Sequence, residues 1–171
     1  MRIGALVAAL LLSACATAPA PGPAEAPWIT GRLSVHIDAT PTQPAQGLNA
    51  AFELRGGELG GELHLNTALG TRMVSARWGQ DGAVLVTPQG EQRFASLDAL
   101  AREALGEDLP LAALPDWLAG RPWPQAAHVA EPGGFAQLGW QIDLQRHAEG
   151  WLHARRAREP AVSLRARIDP P

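Results

Sequence analysis

The sequence predicts a mainly β fold: one antiparallel sheet curled beneath a short, apolar helical segment. Three observations carry this. Apolar and polar residues alternate with a period of two through most of the chain after Trp28. The alternating runs are separated by short stretches drawn from 18 Gly and 15 Pro, as in a turn-rich β protein. Only Ser96 to Gly120 departs from the pattern, with Leu97, Leu100, Ala101, Ala104 and Leu105 at the spacing of one helical face. Short helices bury little by themselves and need a surface to lie on. The strands on either side supply one.

The chain opens with a targeting segment. Arg2 is followed by an apolar run, Ile3 to Leu12, too short to span a bilayer as a helix. Leu12-Ser13-Ala14-Cys15 then resembles the bacterial lipobox, in which cleavage precedes the cysteine and the cysteine is lipidated. An ordinary secretory peptide with an incidental cysteine is the alternative, but the Leu-Ser-Ala-Cys order closes the apolar run at the right place. Residues 1–14 are thus expected to be a lipoprotein signal peptide. Cys15 is the chain's only cysteine, so it has no partner for an internal disulfide. Each buried methylene contributes ~0.8 kcal/mol, and two acyl chains already hold a protein stably to a membrane. In lipoproteins of this type an Asp after the cysteine commonly signals inner-membrane retention, so Ala16 points to the outer membrane. Residues 15–27 are Ala/Pro/Gly-rich and aperiodic, the composition of a lipidated flexible tether. Residues 28–171 remain as one domain. In a chain of 171 residues that is 46% hydrophobic, it has enough apolar side chain for a core.

Within that domain Ile29, Gly31, Leu33, Val35 and Ile37 alternate with Thr30, Arg32, Ser34, His36 and Asp38. Leu48, Ala50, Phe52 and Leu54 give a second apolar face, turned by Gly56-Gly57. Leu59, Gly61, Leu63 and Leu65 give a third, and Val74, Ala76 and Trp78 a fourth after the loop Asn66 to Gly70. Asp81-Gly82 is a hairpin signal into Val84–Thr87. Pro88-Gln89-Gly90 turns into Gln92–Ala95. In the helical segment 96–120, Ser96 is placed to cap the start and Gly106 to end the first piece. Pro110 suits the first position of a turn, and Pro115 starts a second piece that ends at Gly120. Arg121 to Gly134 reads as loop. Leu138, Trp140, Ile142 and Leu144 then alternate, as do Trp151–Arg156 beyond Glu149-Gly150, and Val162, Leu164, Ala166 and Ile168. That makes about nine strands in an antiparallel meander. A curled meander encloses either its own side chains or a ligand, depending on its width. The residues alone leave both open.

Little in the chain suggests catalysis. No two of His36, His64, His128, His147 and His153 have the i, i+4 spacing of a helical metal site. No Gly-x-Ser-x-Gly, phosphate-cradling loop or nucleophilic cysteine is available. His36 and His64 fall on the polar sides of their strands, and Glu53 and Glu62 on solvated faces. The net charge of −3 gives no reason to expect a nucleic-acid partner. All 14 basic residues are arginine, and Arg146, Arg155, Arg156, Arg158, Arg165 and Arg167 make the end of the chain basic. Solvation of an outer sheet face is the plain reading of these; an anionic partner is the other.

Several stretches together resemble one family. They are Thr30-Gly31-Arg32-Leu33-Ser34-Val35, then Gly61-Glu62-Leu63-His64-Leu65 running into Asn66-Thr67-Ala68-Leu69-Gly70. Leu105-Gly106 and Leu109-Pro110-Leu111 follow, then Leu114 with Trp117-Leu118-Ala119-Gly120-Arg121-Pro122, and last Gln137-Leu138-Gly139-Trp140. In this order and behind a lipobox, they are similar to the LolB family of Gram-negative outer-membrane lipoprotein receptors. The resemblance implies a single unclosed antiparallel β-barrel, a half-barrel, with a short α-helical lid over a hydrophobic cavity. It implies a lipid-anchored monomer on the periplasmic face of the outer membrane, with outer-membrane lipid and the acyl chains of cargo lipoproteins as partners. The job it implies is accepting triacylated lipoproteins from the periplasmic carrier LolA and inserting them into that membrane, with no enzyme activity, cofactor or metal. In the family a leucine before the glycine of an Asn-x-Leu-Gly-like loop acts in membrane insertion; here that position is Leu69. Two features depart from the pattern. Only the tether and Trp28 stand where many members have an N-terminal helix, and the chain ends Ile168-Asp169-Pro170-Pro171 rather than in an apolar strand.

Leu33, Val35, Phe52, Leu54, Leu63, Leu65, Val74, Leu100, Leu114, Trp117, Leu118 and Trp140 are the candidates to line the cavity, and each could equally be packed core. Two other functions stay open: an outer-membrane lipoprotein with a structural or assembly role whose barrel is filled, and a lipocalin-like binder of another apolar ligand.

Overall fold

A computed structural model describes residues 26–105 and 109–170. The signal segment 1–14, Cys15, the tether up to position 25, and Gly106 lie outside the described residues. Eleven strands form a single sheet: β1 (Ile29–Ile37), β2 (Gln46–Gly57), β3 (Gly60–Asn66), β4 (Arg72–Gly79), β5 (Gly82–Thr87), β6 (Gly90–Phe94), β7 (His128–Glu131), β8 (Gly134–Gln137), β9 (Trp140–Asp143), β10 (Trp151–Arg156) and β11 (Val162–Ile168). Two helices, α1 (Leu97–Leu105) and α2 (Leu114–Leu118), lie between β6 and β7.

The strand order is β6-β5-β4-β3-β2-β1-β11-β10-β9-β8-β7. It consists of two meanders, β1–β6 and β7–β11, sewn together where β1 pairs antiparallel with β11, Val35 opposite Leu164 and Ile37 opposite Val162. The order runs from β6 to β7 without closing, so the sheet is a half-barrel with two free edges. The chain must travel from one edge to the other between Ala95 and Ala127, and the helices lie on that path. α1 packs against β5 and β6, and α2 reaches β2. Topology thus makes the cover: the residues joining the edges lie across the inner face. The edges themselves resist pairing with another sheet. β6 carries an exposed Glu91–Arg93 ion pair, and β7 is four residues long and followed by Pro132.

Alternation places the core as expected through β1, β2, β4 and β11. Leu33, Val35, Phe52, Leu54, Ala76, Trp78, Leu164 and Ala166 are all buried on the inner face. Four differences from the sequence reading have clear causes. Arg121 to Gly134 is not all loop, since β7 and the first residue of β8 lie in it, and eleven strands replace nine. The run from Leu138 to Leu144 is not one strand. Leu138 and Gly139 both have positive φ, +53° and +78°, and form a two-residue hairpin turn, so Gln137 faces inward and Leu138 outward. Leu59 belongs to the β2–β3 turn and is exposed, because β3 starts only at Gly60. His64 is buried rather than solvated, because Trp28 folds over the outer face and its ring lies 5.2 Å from the imidazole.

The helix ends follow the expected chemistry where they are described. Ser96 Oγ accepts from Ala99 N–H at 3.1 Å, capping α1. Gly120, at φ +74°, closes α2: its N–H donates to Trp117 O, and Arg121 N–H donates to Asp116 O at 3.0 Å. This paired return needs a left-handed residue, which glycine supplies without strain. A side chain at Gly120 would also collide with the His147 ring, whose Nε2 bonds Leu118 O at 2.8 Å.

Candidate functional site

The inner face divides into a packed half and an open half. Beneath α2, Trp117, Leu118, Phe135, Trp140, Ile142 and Leu152 are each at most 4% exposed. Trp117 and Trp140 meet with ring centroids 6.1 Å apart. The bolt here is Gln137, 2% exposed on β8. Its Oε1 accepts from Trp117 Nε1–H at 2.8 Å and from Trp123 N–H at 2.9 Å. Its Nε2 donates to the carbonyls of Trp123 and Ala126 at 2.7 and 2.8 Å. All the hydrogen-bonding capacity of one buried amide is therefore spent on fixing α2 and the segment after it to the sheet. Sequence reasoning missed Gln137 because it placed the residue on a polar face. The Gly139 turn signal two residues on, read as a hairpin, would have reversed the frame.

Beneath α1 the same sheet leaves a cavity of about 370 Å³. Leu33 and Val35 of β1, Leu63 and Leu65 of β3, Val74 of β4, Leu100 of α1 and Leu114 of α2 line it. Ile37, Leu48, Ala76, Leu85, Leu109, Leu111 and Leu164 complete an almost wholly aliphatic wall. Phe52, Leu54, Trp117 and Leu118 do not line it; they are buried in the packed core. Trp140 borders a separate hollow with Asp98, Leu109 and Trp123. Ile37 and Leu48 were within reach of the sequence, since each continues the alternation of a strand whose other inward residues were named. Leu109 and Leu111, in contrast, lie in irregular chain with no period to read. With Gln46 and Thr87 as its polar side chains, the wall offers water little and an alkyl chain a favourable surface, at roughly 25 cal/mol per Å² of apolar area buried. A volume of this size is at the low end for ligand pockets, roughly 300–1,000 Å³.

Leu69 stands at the tip of the β3–β4 hairpin, 95% exposed. The loop is closed by its own hydrogen bonds: Thr67 N–H donates to Thr71 O at 2.8 Å, Gly70 N–H to Thr67 O at 2.9 Å, and Thr71 N–H to Thr67 Oγ1 at 3.1 Å. Gly70 sits at φ +83°, the left-handed position that ends a three-residue hairpin loop. No side chain shields Leu69, so its exposure follows from the geometry of the turn. β3 ends opposite Ala51, whereas β2 begins back at Gln46. The loop therefore leaves part-way along β2, and Ala68 lies over the outer face beside Arg32 and Asn49.

The outer face of β2–β4 carries charge, but its groups answer one another. Arg55 bonds Glu62 at 2.8 Å, Arg72 and Asn66 reach Glu53, and Arg72 Nε donates to Asn66 Oδ1. His64 sits between Glu62 Oε1, 3.0 Å from its Nε2, and Ser75 Oγ, 3.0 Å from its Nδ1. Burial, with the Arg72 charge, pushes its pKa below the ordinary histidine value against the pull of Glu62 and Glu53. The neutral ring then donates from Nε2 to Glu62 and accepts from Ser75. Burial alone would raise Glu62, but the Arg55 hydrogen bond, with the electrostatic pull of His64, Arg55 and Arg77, outweighs it and holds the carboxyl below its usual range. Cross-strand pairs of this kind stabilise a sheet. Among the described residues no group of three or more His, Cys, Asp or Glu could hold a metal ion.

Comparison with known proteins agrees with this geometry. The family model described as outer membrane lipoprotein LolB matches residues 28–163. The chain is 30% identical to the outer-membrane lipoprotein LolB of Chromobacterium violaceum over 86% of its length and 84% of that protein. It is 31% identical to the Thiobacillus denitrificans protein of the same name, again over 86% and 84%, and 32% identical to that of Ralstonia nicotianae over 82% and 75%.

Proposed function

Because this chain belongs to the LolB family of outer-membrane lipoproteins, we propose that it accepts triacylated lipoproteins from a LolA-type periplasmic carrier and inserts them into the outer membrane. Cys15 is the acylated anchor, residues 15–27 are the tether, and the domain works as a monomer at the periplasmic face without cofactor or catalytic step. The observation that carries this reading is the pairing of an aliphatic cavity under a helical lid with an isolated, fully presented Leu69. The cavity takes up acyl chains, with α1 as the part that yields. The bilayer is the final sink, because each transfer runs downhill only if the acceptor holds the chains better than the donor. Leu69 holds the domain against the membrane while the chains leave.

Handover and insertion are measured separately to test this. Carrier loaded with a radiolabelled lipoprotein is mixed with the mature chain, and cargo is followed first onto the chain and then into liposomes. Transfer in both steps is expected. A chain that never takes cargo from the carrier, or that takes up no fluorescent apolar probe while folded, would show that the barrel is filled and its role structural.

A further inference from the structure

The outer face carries a feature that the cavity does not use. Arg32 on β1 and Arg167 on β11 stand directly opposite one another, and Arg165 is the next outward residue along β11. All three are exposed, and with Asn49 and Trp151 they line a hollow of about 580 Å³. One wall of that hollow is Ala68, the neighbour of Leu69. Like charges directly opposite in an antiparallel pair repel, so this arrangement works against the fold. Among the described residues no carboxylate forms an ion pair with these three arginines. Glu149, whose carboxylate feels Arg167, is held by Arg146 at 2.6 Å. Asp169 accepts from Thr30. Arg167 instead lies 5.1 Å over the ring of Trp151. A chain of net charge −3 thus gathers at one place three arginines that no carboxylate pairs, beside the most exposed leucine among the described residues.

Guanidinium groups match phosphate geometry, and tryptophan favours the membrane–water interface. We infer that this hollow seats the headgroups of anionic phospholipid in the membrane that Leu69 enters. The inference rests on the membrane-contact reading of Leu69. The leucine enters the interfacial region while the arginines beside it meet the phosphates. The two contacts reinforce one another, because each brings the other to its site.

The test uses the mature chain carrying Cys15→Ala, so that no acyl anchor masks weak binding. Sedimentation with vesicles of phosphatidylcholine alone is compared with vesicles that also contain phosphatidylglycerol. The parent should bind the anionic vesicles more tightly, and salt should reduce that difference. Arg32→Gln with Arg165→Gln should lower the gain from phosphatidylglycerol by roughly fivefold per arginine, or ~1 kcal/mol each, and leave binding to neutral vesicles unchanged. The corresponding Lys pair should retain most of the gain, which separates charge from any effect on folding. Leu69→Glu should weaken binding to both vesicles. If the Gln pair keeps the full phosphatidylglycerol gain, the headgroup site is wrong and the Leu69 reading stands. If Leu69→Glu binds both vesicles like the parent, the Leu69 reading fails while the arginine comparison is still decisive. A Gln pair that binds vesicles normally but accepts cargo slowly would assign the hollow to a protein partner and overturn the inference.

Discussion

Leu69 and Leu59 are both exposed at hairpin turns, 95% and 74%, but on opposite rims of the sheet. Burying one leucine is worth about 1.5–3 kcal/mol, too little to anchor a protein but enough to hold it briefly against a surface. Leu69→Glu is expected to leave folding and cargo acceptance near normal and to block insertion into liposomes. Leu59→Glu should leave folding, cargo acceptance and insertion all near normal, and insertion that fails equally in both would mean that rim position is irrelevant. Gln137 and Trp117 belong to stability. Gln137→Ala strands the Trp117 indole N–H and three backbone groups, so about 3 kcal/mol or more should be lost in urea unfolding. Trp117→Ala should cost roughly 3–5 kcal/mol. Normal cargo acceptance by the Trp117 variant would make that residue core only. His64 and Glu62 give the fold a pH dependence of one sign. A histidine held below its ordinary pKa takes up a proton more readily in the unfolded chain, so stability should fall as pH drops through the unfolded histidine value of about 6.5. The depressed Glu62 contributes in full only above the ordinary carboxyl value, and that contribution is lost as pH falls from there through its own lowered pKa. Urea midpoints should therefore drop between about pH 7.5 and 5.5 in the parent and stay flatter in His64→Gln. Leu69 was legible only through a family likeness, since an exposed leucine has no periodicity. Gln137 was not legible, since a buried amide looks like any other polar residue until its turn is known.

At the scale of elements, the two helices do different work although both read as apolar covers. α2 is five residues long, fixed by Gln137, His147 and the Gly120 return. α1 lies on the sheet through Leu97, Leu100 and Ala101, with the cavity below. This predicts unequal costs for the same substitution. Leu118→Ala opens a void in tight packing and should cost ~4 kcal/mol, whereas Leu100→Ala only widens space already there and should cost nearer 2. Leu100→Ala should also speed uptake of an apolar probe; equal destabilisation with unchanged uptake would place α1 in the core and not over a cavity. The helix pattern of 96–120 and the cap at Ser96 could be read locally, because helical hydrogen bonds are local. Which half of the sheet each piece covers depends on where the edges fall, and no residue between 96 and 120 encodes that.

For the whole molecule, the decisive contact is the pairing of β1 with β11, 139 residues apart where Thr30 meets Asp169. Alternation showed that both were strands with one apolar face, but not that they would lie side by side in mid-sheet. The free edges and the lid path follow from that pairing. A second long-range fact concerns Trp28, where the domain meets the proposed tether. Trp28 lies against His64, with Arg55 stacked 4.5 Å over its ring, on the strand that leads five residues later to Leu69. Five residues of extended chain span at most ~18 Å. The twelve residues between Cys15 and Trp28, Ala16 to Pro27, can reach about 40 Å. On the reading proposed above, in which residues 15–27 are the tether, its root at Trp28 lies close to the loop that carries Leu69. Doubling the tether's length should dilute Leu69 at the bilayer only about threefold, by the −3/2 power of length, and halving it should leave insertion working. Insertion that collapses on halving would mean that the molecule must swing its far side to the membrane, and that Trp28 is no mooring.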